Sequence, residues 1–255
     1  MYLIILFIFI FGLIIGSFLN CLIWRLHSEE SIMGRSYCPK CRKQIVWYDN
    51  IPVFSFLFLG GKCRYCKKKI SVQYPVVEFI TGILFTLAFI YAPLHPSQEG
   101  NLLRSFFIIS VMIIIFIYDL RWYLILDKVT IPAGIIVFFI NILLDFNWIN
   151  LLISGIIGSS FFLFQFIISR GKWIGGGDIR LGALMGLALG WPMVILAIFL
   201  AYLIGSVVGI GLILGGKKKW GSMVPLGVFL STASIITLFW GSEILSWYLG
   251  IIQIY

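Results

Sequence analysis

The sequence predicts an all-α polytopic membrane protein of about eight transmembrane helices, with one small cytoplasmic loop whose cysteine spacing is zinc-ribbon-like. Three observations carry this prediction. Of 255 residues, 61% are hydrophobic and only 11% charged, and the mean hydropathy is +1.06. A soluble domain averages about 45–50% apolar and about 25% charged residues, so this chain cannot cover a water-facing surface, and disorder is excluded by the same composition. Secondly, apolar runs recur at lengths that fit the hydrocarbon core of a bilayer. Thirdly, the net charge is +9, from 19 basic and 10 acidic side chains, and the bases gather on one side.

A spanning helix needs about 20 mainly apolar residues. By that measure the spans fall near 2–24, 76–92, 102–118, 129–147, 149–169, 179–190, 192–214 and 223–250. The first has no Lys or Arg before Arg25, so it lacks the basic start of a cleaved signal peptide. That asymmetry puts the N-terminus outside and Arg25 in the cytoplasm. The sixth is short and Gly-rich; it counts because Gly190-Trp191-Pro192 reads as a tight turn and because the charges then sort. With eight spans, the bases of 25–74, of 119–128, of 170–180 and of 217–219 all fall on the cytoplasmic side. Only Arg104 is left outside, with Glu99, Asp145 and Glu243. Orientation and contact with anionic lipid account for the basic face, and no nucleic-acid partner is expected. The organisation read is a first transmembrane helix at 1–24, a cytoplasmic four-Cys loop at 25–74 and a transmembrane core at 75–255.

The loop carries Cys38-Pro-Lys-Cys41 and, after 21 residues, Cys63-Arg-Tyr-Cys66. Two C-x2-C pairs at that separation suit a structural zinc site, because four thiolates close a tetrahedral shell with no open catalytic position. The loop is too small to stand on a core alone, so metal binding would supply much of its folding energy. The alternatives are two disulfides, which a reducing cytoplasm disfavours, or plain thiols. Cys21 lies within the first span and is read as a packing residue.

Charge at membrane depth is costly and points to function. Asp119 ends the third span, and Asp178 opens the sixth in Gly175-Gly176-Gly177-Asp178. Both ends face the cytoplasm, so the two carboxylates can converge at one depth. Gly175, Gly176 and Gly177 are expected to let the backbone approach closely and adopt positive φ, so that a peptide can lie against it. Gly182, Gly186 and Gly190 offer a stripe for tight helix packing. Two carboxylates sharing a proton suit aspartyl-protease chemistry. The alternative is that each Asp caps a helix, since a carboxylate is favourable at a helix N-terminus anyway.

Taken together these residues resemble the type IV prepilin leader peptidases, a branch of the GxGD-type intramembrane aspartyl proteases. The resemblance starts at Gly16-Ser17-Phe18-Leu19-Asn20 and Arg25-Leu26, and includes the Cys pairs flanking Tyr48-Asp49-Asn50-Ile51-Pro52-Val53. It continues through Tyr74-Pro75-Val76-Val77-Glu78, Tyr118-Asp119-Leu120, Asp127, Thr130-Ile131-Pro132 and Gly175-Gly176-Gly177-Asp178-Ile179-Arg180-Leu181. Departures are Arg121, Leu126 and Arg180, where the family often has an acidic residue, Pro and Lys. They bear on substrate preference, because the Asp pair is intact. The resemblance implies that Asp119 and Asp178 are the catalytic pair. It implies cleavage, at the cytoplasmic face of a bacterial inner membrane, of the short basic leader of a prepilin or pseudopilin. Many members also N-methylate the new N-terminus using S-adenosylmethionine, although the loop contains no Rossmann-type fingerprint.

Supporting roles are open at two positions. Asp127 is a second catalytic candidate, read in preference as a structural or substrate-orienting group. Glu78, near Pro75, either complements the dipole of the second span or contributes to substrate or methyl-donor binding. His27 and His95 have no partners in spacing and are read as interfacial. Two other functions compete. An ion-coupled transporter is disfavoured because both Asp residues sit near one face and no inverted repeat is evident. An assembly scaffold would leave the carboxylates purely structural.

Overall fold

The structure, a computed structural model, describes residues 1–91, 102–219 and 223–252; His95 and Glu99 lie outside them. Among the described residues it is all-helical, with no strands. The helices are α1 (Tyr2–His27), α2 (Phe54–Phe58), α3 (Gln73–Tyr91), α4 (Leu102–Trp122), α5 (Asp127–Leu143), α6 (Trp148–Ser169), α7 (Gly176–Leu189), α8 (Met193–Leu214) and α9 (Leu226–Ile252), with one 3-10 turn at Trp47–Asn50. A helix stands at each of the eight predicted spans. Six of them, α1, α3, α4, α6, α8 and α9, are long and apolar enough to cross a membrane. The helices α5 and α7, of 17 and 14 residues, are shorter.

The chain divides into two compact units, Met1–Leu102 and Leu103–Tyr255. In the first, α1 packs on α3 through small residues. A Cβ at Gly12 would lie 2.7 Å from the Gly82 Cα, and one at Gly16 would lie 2.7 Å from the Glu78 Cα. Between these helices runs the cysteine loop. Arg25 starts it by donating to the carbonyls of Ile32, Gly34 and Arg35. Asn20 ends it by donating to the Tyr74 carbonyl over 3.0 Å.

The second unit is built around α4, of whose span 67% is buried, against 22% for α8. Ile108, Val111, Met112 and Ile115 of α4 share one core with Leu181, Leu184 and Met185 of α7 and with residues of α5, α6, α8 and α9. In lipid such packing rests on van der Waals contact, because lipid tails are as apolar as leucine. The glycine stripe of α7 packs on α6. A Cβ at Gly182 would lie 2.5 Å from the Gly158 carbonyl oxygen, and one at Gly186 would lie 2.1 Å from that of Ser154. Gly186→Ala is therefore expected to force these backbones apart and destabilise the protein by about 1–3 kcal/mol. Gly209→Ala, whose Cβ would meet nothing within 4 Å, is expected to be neutral or slightly stabilising. Thermal unfolding of both variants in detergent checks the contrast.

Candidate active site and cysteine loop

The helix α4 continues past the predicted boundary to Trp122, so Asp119 lies in its last turn, only 5% exposed. Its Oδ2 accepts from the Val228 amide over 3.2 Å, and the carboxylate also accepts from the Gly227 amide. Those amides belong to the first turn of α9, where donors have no intrahelical partner. Gly227 is required by the close approach, since a Cβ there would lie 2.8 Å from Asp119 Oδ2. Gly227 and Val228 are site residues that sequence reading missed. Their contact spans 109 residues, and Pro225-Leu226-Gly227 gives only a helix-start signal.

Asp178 lies in the first turn of α7, 8% exposed. Its Oδ2 accepts from the Gly175 amide over 2.9 Å, which is the capping role named as the alternative. The Asp119 carboxylate is close enough to act on it electrostatically. Each carboxylate thus uses Oδ2 to satisfy an amide at a helix start. The positive ends of two helix dipoles meet at the pair.

The three glycines behave differently from expectation. Gly175 has φ −87° and precedes α7, while Gly176 and Gly177 are already helical, so none uses positive φ. The physical reason is that Asp178 needs this stretch as a helix start. The close approach is real only at Gly177, where a Cβ would lie 2.8 Å from the Ile125 Cβ; one at Gly176 would meet open space. Asp127 opens α5 and pairs with Arg180 of α7. That ion pair ties the start of α5 to the turn of α7 that carries Asp178.

Glu78 is not a first-turn residue, because α3 begins at Gln73 and Pro75 lies within it. Dipole complementation at the helix start is therefore not what it does. Glu78 is buried; its Oε2 accepts from the Val53 amide over 2.7 Å, and Ser17 also bonds it. Val53 has φ +62°, a costly conformation for a β-branched residue, and the Glu78 bond holds it there.

The four loop cysteines converge. Their sulfurs all lie within 4.8 Å of one another, with those of Cys38 and Cys66 4.0 Å apart. A tetrahedral zinc with Zn–S bonds of about 2.3 Å sets its sulfurs about 3.8 Å apart, so the cluster fits a zinc site. The two halves repeat one geometry. The Cys38 amide donates to Lys43 O and the Arg42 amide to Cys38 O; the Cys63 amide donates to Lys68 O and the Lys67 amide to Cys63 O. Arg42 and Lys67, each following its second cysteine, have φ +59° and +55°. Antiparallel bridges Tyr37–Gln44 and Lys62–Lys69 flank the two turns. Asp49 braces the second turn by a bidentate pair with Arg64, 2.7 and 2.6 Å, and Lys43 of the first stacks on Tyr65 of the second.

The thiols differ in acidity. Burial pushes the Cys63 thiol up, but the amides of Cys66 and Tyr65 and the neighbouring thiols outweigh it and bring it down to about 7. The Lys43 amide favours the Cys41 thiolate, but desolvation and the other three sulfurs outweigh it and push Cys41 up to about 11.

Residues 10–92 match the bacterial peptidase A24 N-terminal domain, and residues 106–210 match the type IV leader peptidase family. Curated relatives run the length of the chain. The chain is 35% identical to a prepilin leader peptidase/N-methyltransferase of Bacillus subtilis, over 95% of this chain and 96% of the relative. Proteins of the same name from Aeromonas hydrophila and Pseudomonas aeruginosa are 32% and 27% identical, over 95% and 93% of this chain and 92% and 91% of theirs. No solved structure matches significantly. With both segments matched in order and relatives aligned almost end to end, the chain belongs to the type IV leader peptidase family.

Proposed function

We propose that the chain is an intramembrane aspartyl endopeptidase that removes the short basic leader of type IV prepilins or pseudopilins at the cytoplasmic face of a bacterial inner membrane. The observation that carries this reading is the pairing of Asp119 and Asp178, two buried carboxylates in electrostatic reach and each anchored through Oδ2. In the reaction one ionised carboxylate takes a proton from water, while the protonated partner polarises the scissile carbonyl. Gly176, beside Asp178, opens on free space while Gly177 makes room for Ile125, and Asp127 pairs with Arg180 of α7. The test is mass spectrometry of a candidate pilin N-terminus after coexpression with the chain or with its Asp119→Asn variant. A leader removed only by the former supports the reading; removal by both overturns it.

Eight crossings remain the topology we favour. The helices α5 and α7 rise about 26 and 21 Å, short of a hydrocarbon core of about 30 Å. The helix α7 packs inside the second unit, where its backbone is shielded by protein, whereas α5 keeps Ile131, Ile135 and Phe139 exposed on an apolar face that lipid would cover. This places the N-terminus outside and the four-Cys loop in the cytoplasm, with membrane lipid against the outer helices. An Arg121→Cys variant is expected to react with an impermeant maleimide only after the cells are permeabilised; labelling of intact cells would overturn the orientation.

Cys38, Cys41, Cys63 and Cys66 would hold a structural zinc that ties the two turns of the loop together. N-methylation of the product with S-adenosylmethionine is the second activity that the relatives' names suggest. The cavity between α1 and α3 does not suit that cofactor. Its lining of Tyr2, Ile5, Leu6, Phe9, Ile83, Thr86 and Leu87 offers no charge to a sulfonium or an amino-acid head.

A further inference from the structure

We propose that Arg104 and Asn141 are positioning residues for the Asp119–Asp178 pair, fixing how deep α7 sits beside α4; this rests on the aspartyl reading above. The two helices run in opposite directions with one contact at each end. Asp119 in the last turn of α4 acts on Asp178 in the first turn of α7. Arg104 in the first turn of α4 donates to the carbonyl of Ala188 in the last turn of α7. From Arg104 to Asp119 the helix rises about 22 Å, and from Asp178 to Ala188 about 15 Å. The long arginine side chain spans much of the difference.

Arg104 is 5% exposed, with no carboxylate among its described partners. A guanidinium buried in the first turn of an apolar helix is expensive and points to a function. Its Nε donates to Asn141 Oδ1, and its face covers the Phe146 ring 4.8 Å away. Asn141, fully buried, donates through Nδ2 to the Leu187 carbonyl over 2.7 Å. Leu187 and Ala188 carry carbonyls of the last turn, which have no partner within the helix. The cation sits at the negative end of the α7 dipole, and Asp178 sits at the positive end.

The glycine stripe between α6 and α7 cannot do this work. Small residues allow close approach, but a surface without side chains offers little resistance to sliding along the helix axis. Two side chains gripping the last turn of α7 do resist it. A displacement near 1 Å at reacting groups can cost about a hundredfold in rate, so depth is a catalytic variable here.

The test uses the full chain in nanodiscs, cleaving a purified prepilin. Arg104→Met is expected to lower kcat about 10- to 100-fold while KM stays within about threefold. Hydrogen exchange should quicken at the amides of 175–182 and remain unchanged across α8. Arg104→Lys, which keeps the charge and a donor, should recover most of the kcat. Wild-type kcat in folded Arg104→Met, or a loss that merely follows the fraction of folded protein, overturns the proposal. So does unchanged exchange at 175–182. If Arg104→Met does not accumulate, Asn141→Leu is read by the same kcat, KM and exchange criteria and decides in either direction. Full cleavage by Asp119→Asn would sink the aspartyl reading instead, and the exchange measurement would still report whether α7 is held.

Discussion

Asp119→Asn and Asp178→Asn are each expected to lower leader cleavage by about a thousandfold or more, with the protein inserted and folded. Asparagine has nearly the same shape as aspartate, and its carbonyl oxygen can still accept from the Val228 or Gly175 amide. The substitution therefore separates the two roles that sequence reading left open. If the carboxylates only cap α9 and α7, both variants remain active. If they move protons, both are dead. The double variant should be no worse than either single one, because residues that act as a unit lose their effect together. Leader processing retained in either single variant, read by mass spectrometry, rejects the dyad.

The second large effect is expected in the four-Cys loop. Cys63→Ser, or a strong chelator, should remove one zinc per chain and unfold the segment between α1 and α3. Structural zinc contributes about 10–16 kcal/mol in small zinc-binding peptides. Little apolar core supports this loop besides the cysteines, as α2 has no buried residue and neither does the 3-10 turn, and its other ties, from Arg25, Asp49 and Glu78, are polar. The pH dependence follows from Cys63. Its thiol, near 7, is a thiolate more readily than that of Cys41, near 11, and protons compete with metal for both. Affinity should fall as pH is lowered, and more steeply below about 7, where Cys63 is protonated as well. A chelating dye titrated from pH 8 to pH 5.5 measures the release. Zinc content unchanged in Cys63→Ser, by atomic absorption, rejects the site.

How much of this was legible in the sequence depended on range. Apolar runs located each long helix, because hydropathy is read locally. The end of α4 was misplaced at 118, since Asp119 and Arg121 look like a loop although both continue the helix to Trp122. The cysteine cluster was legible because a C-x2-C turn is a local motif repeated. The partners of Asp119 were not, for Gly227 and Val228 lie on another helix. Arg104 was noticed only as the base that broke the charge pattern. Its burial, and the α7 carbonyls that satisfy it, come from the tertiary structure. Glu78 was found for its charge but given the wrong partner, because nothing local reveals that it reaches the Val53 amide.

That both carboxylates bond amides at helix starts, at one end of the helices that carry them, also constrains what can be cut. A peptide bond within a transmembrane helix has its carbonyl tied to the amide four residues on, and hydrolysis there first requires unwinding in lipid, where each freed group costs several kcal/mol. At the end of a bundle the incoming chain need not be unwound. A leader joined to the N-terminus of an apolar helix presents a junction whose first amides are unpaired already. For the proposed reaction the enzyme then has no need to melt its substrate. Its selectivity would lie in where the substrate's helix begins, more than in the side chains around the cut.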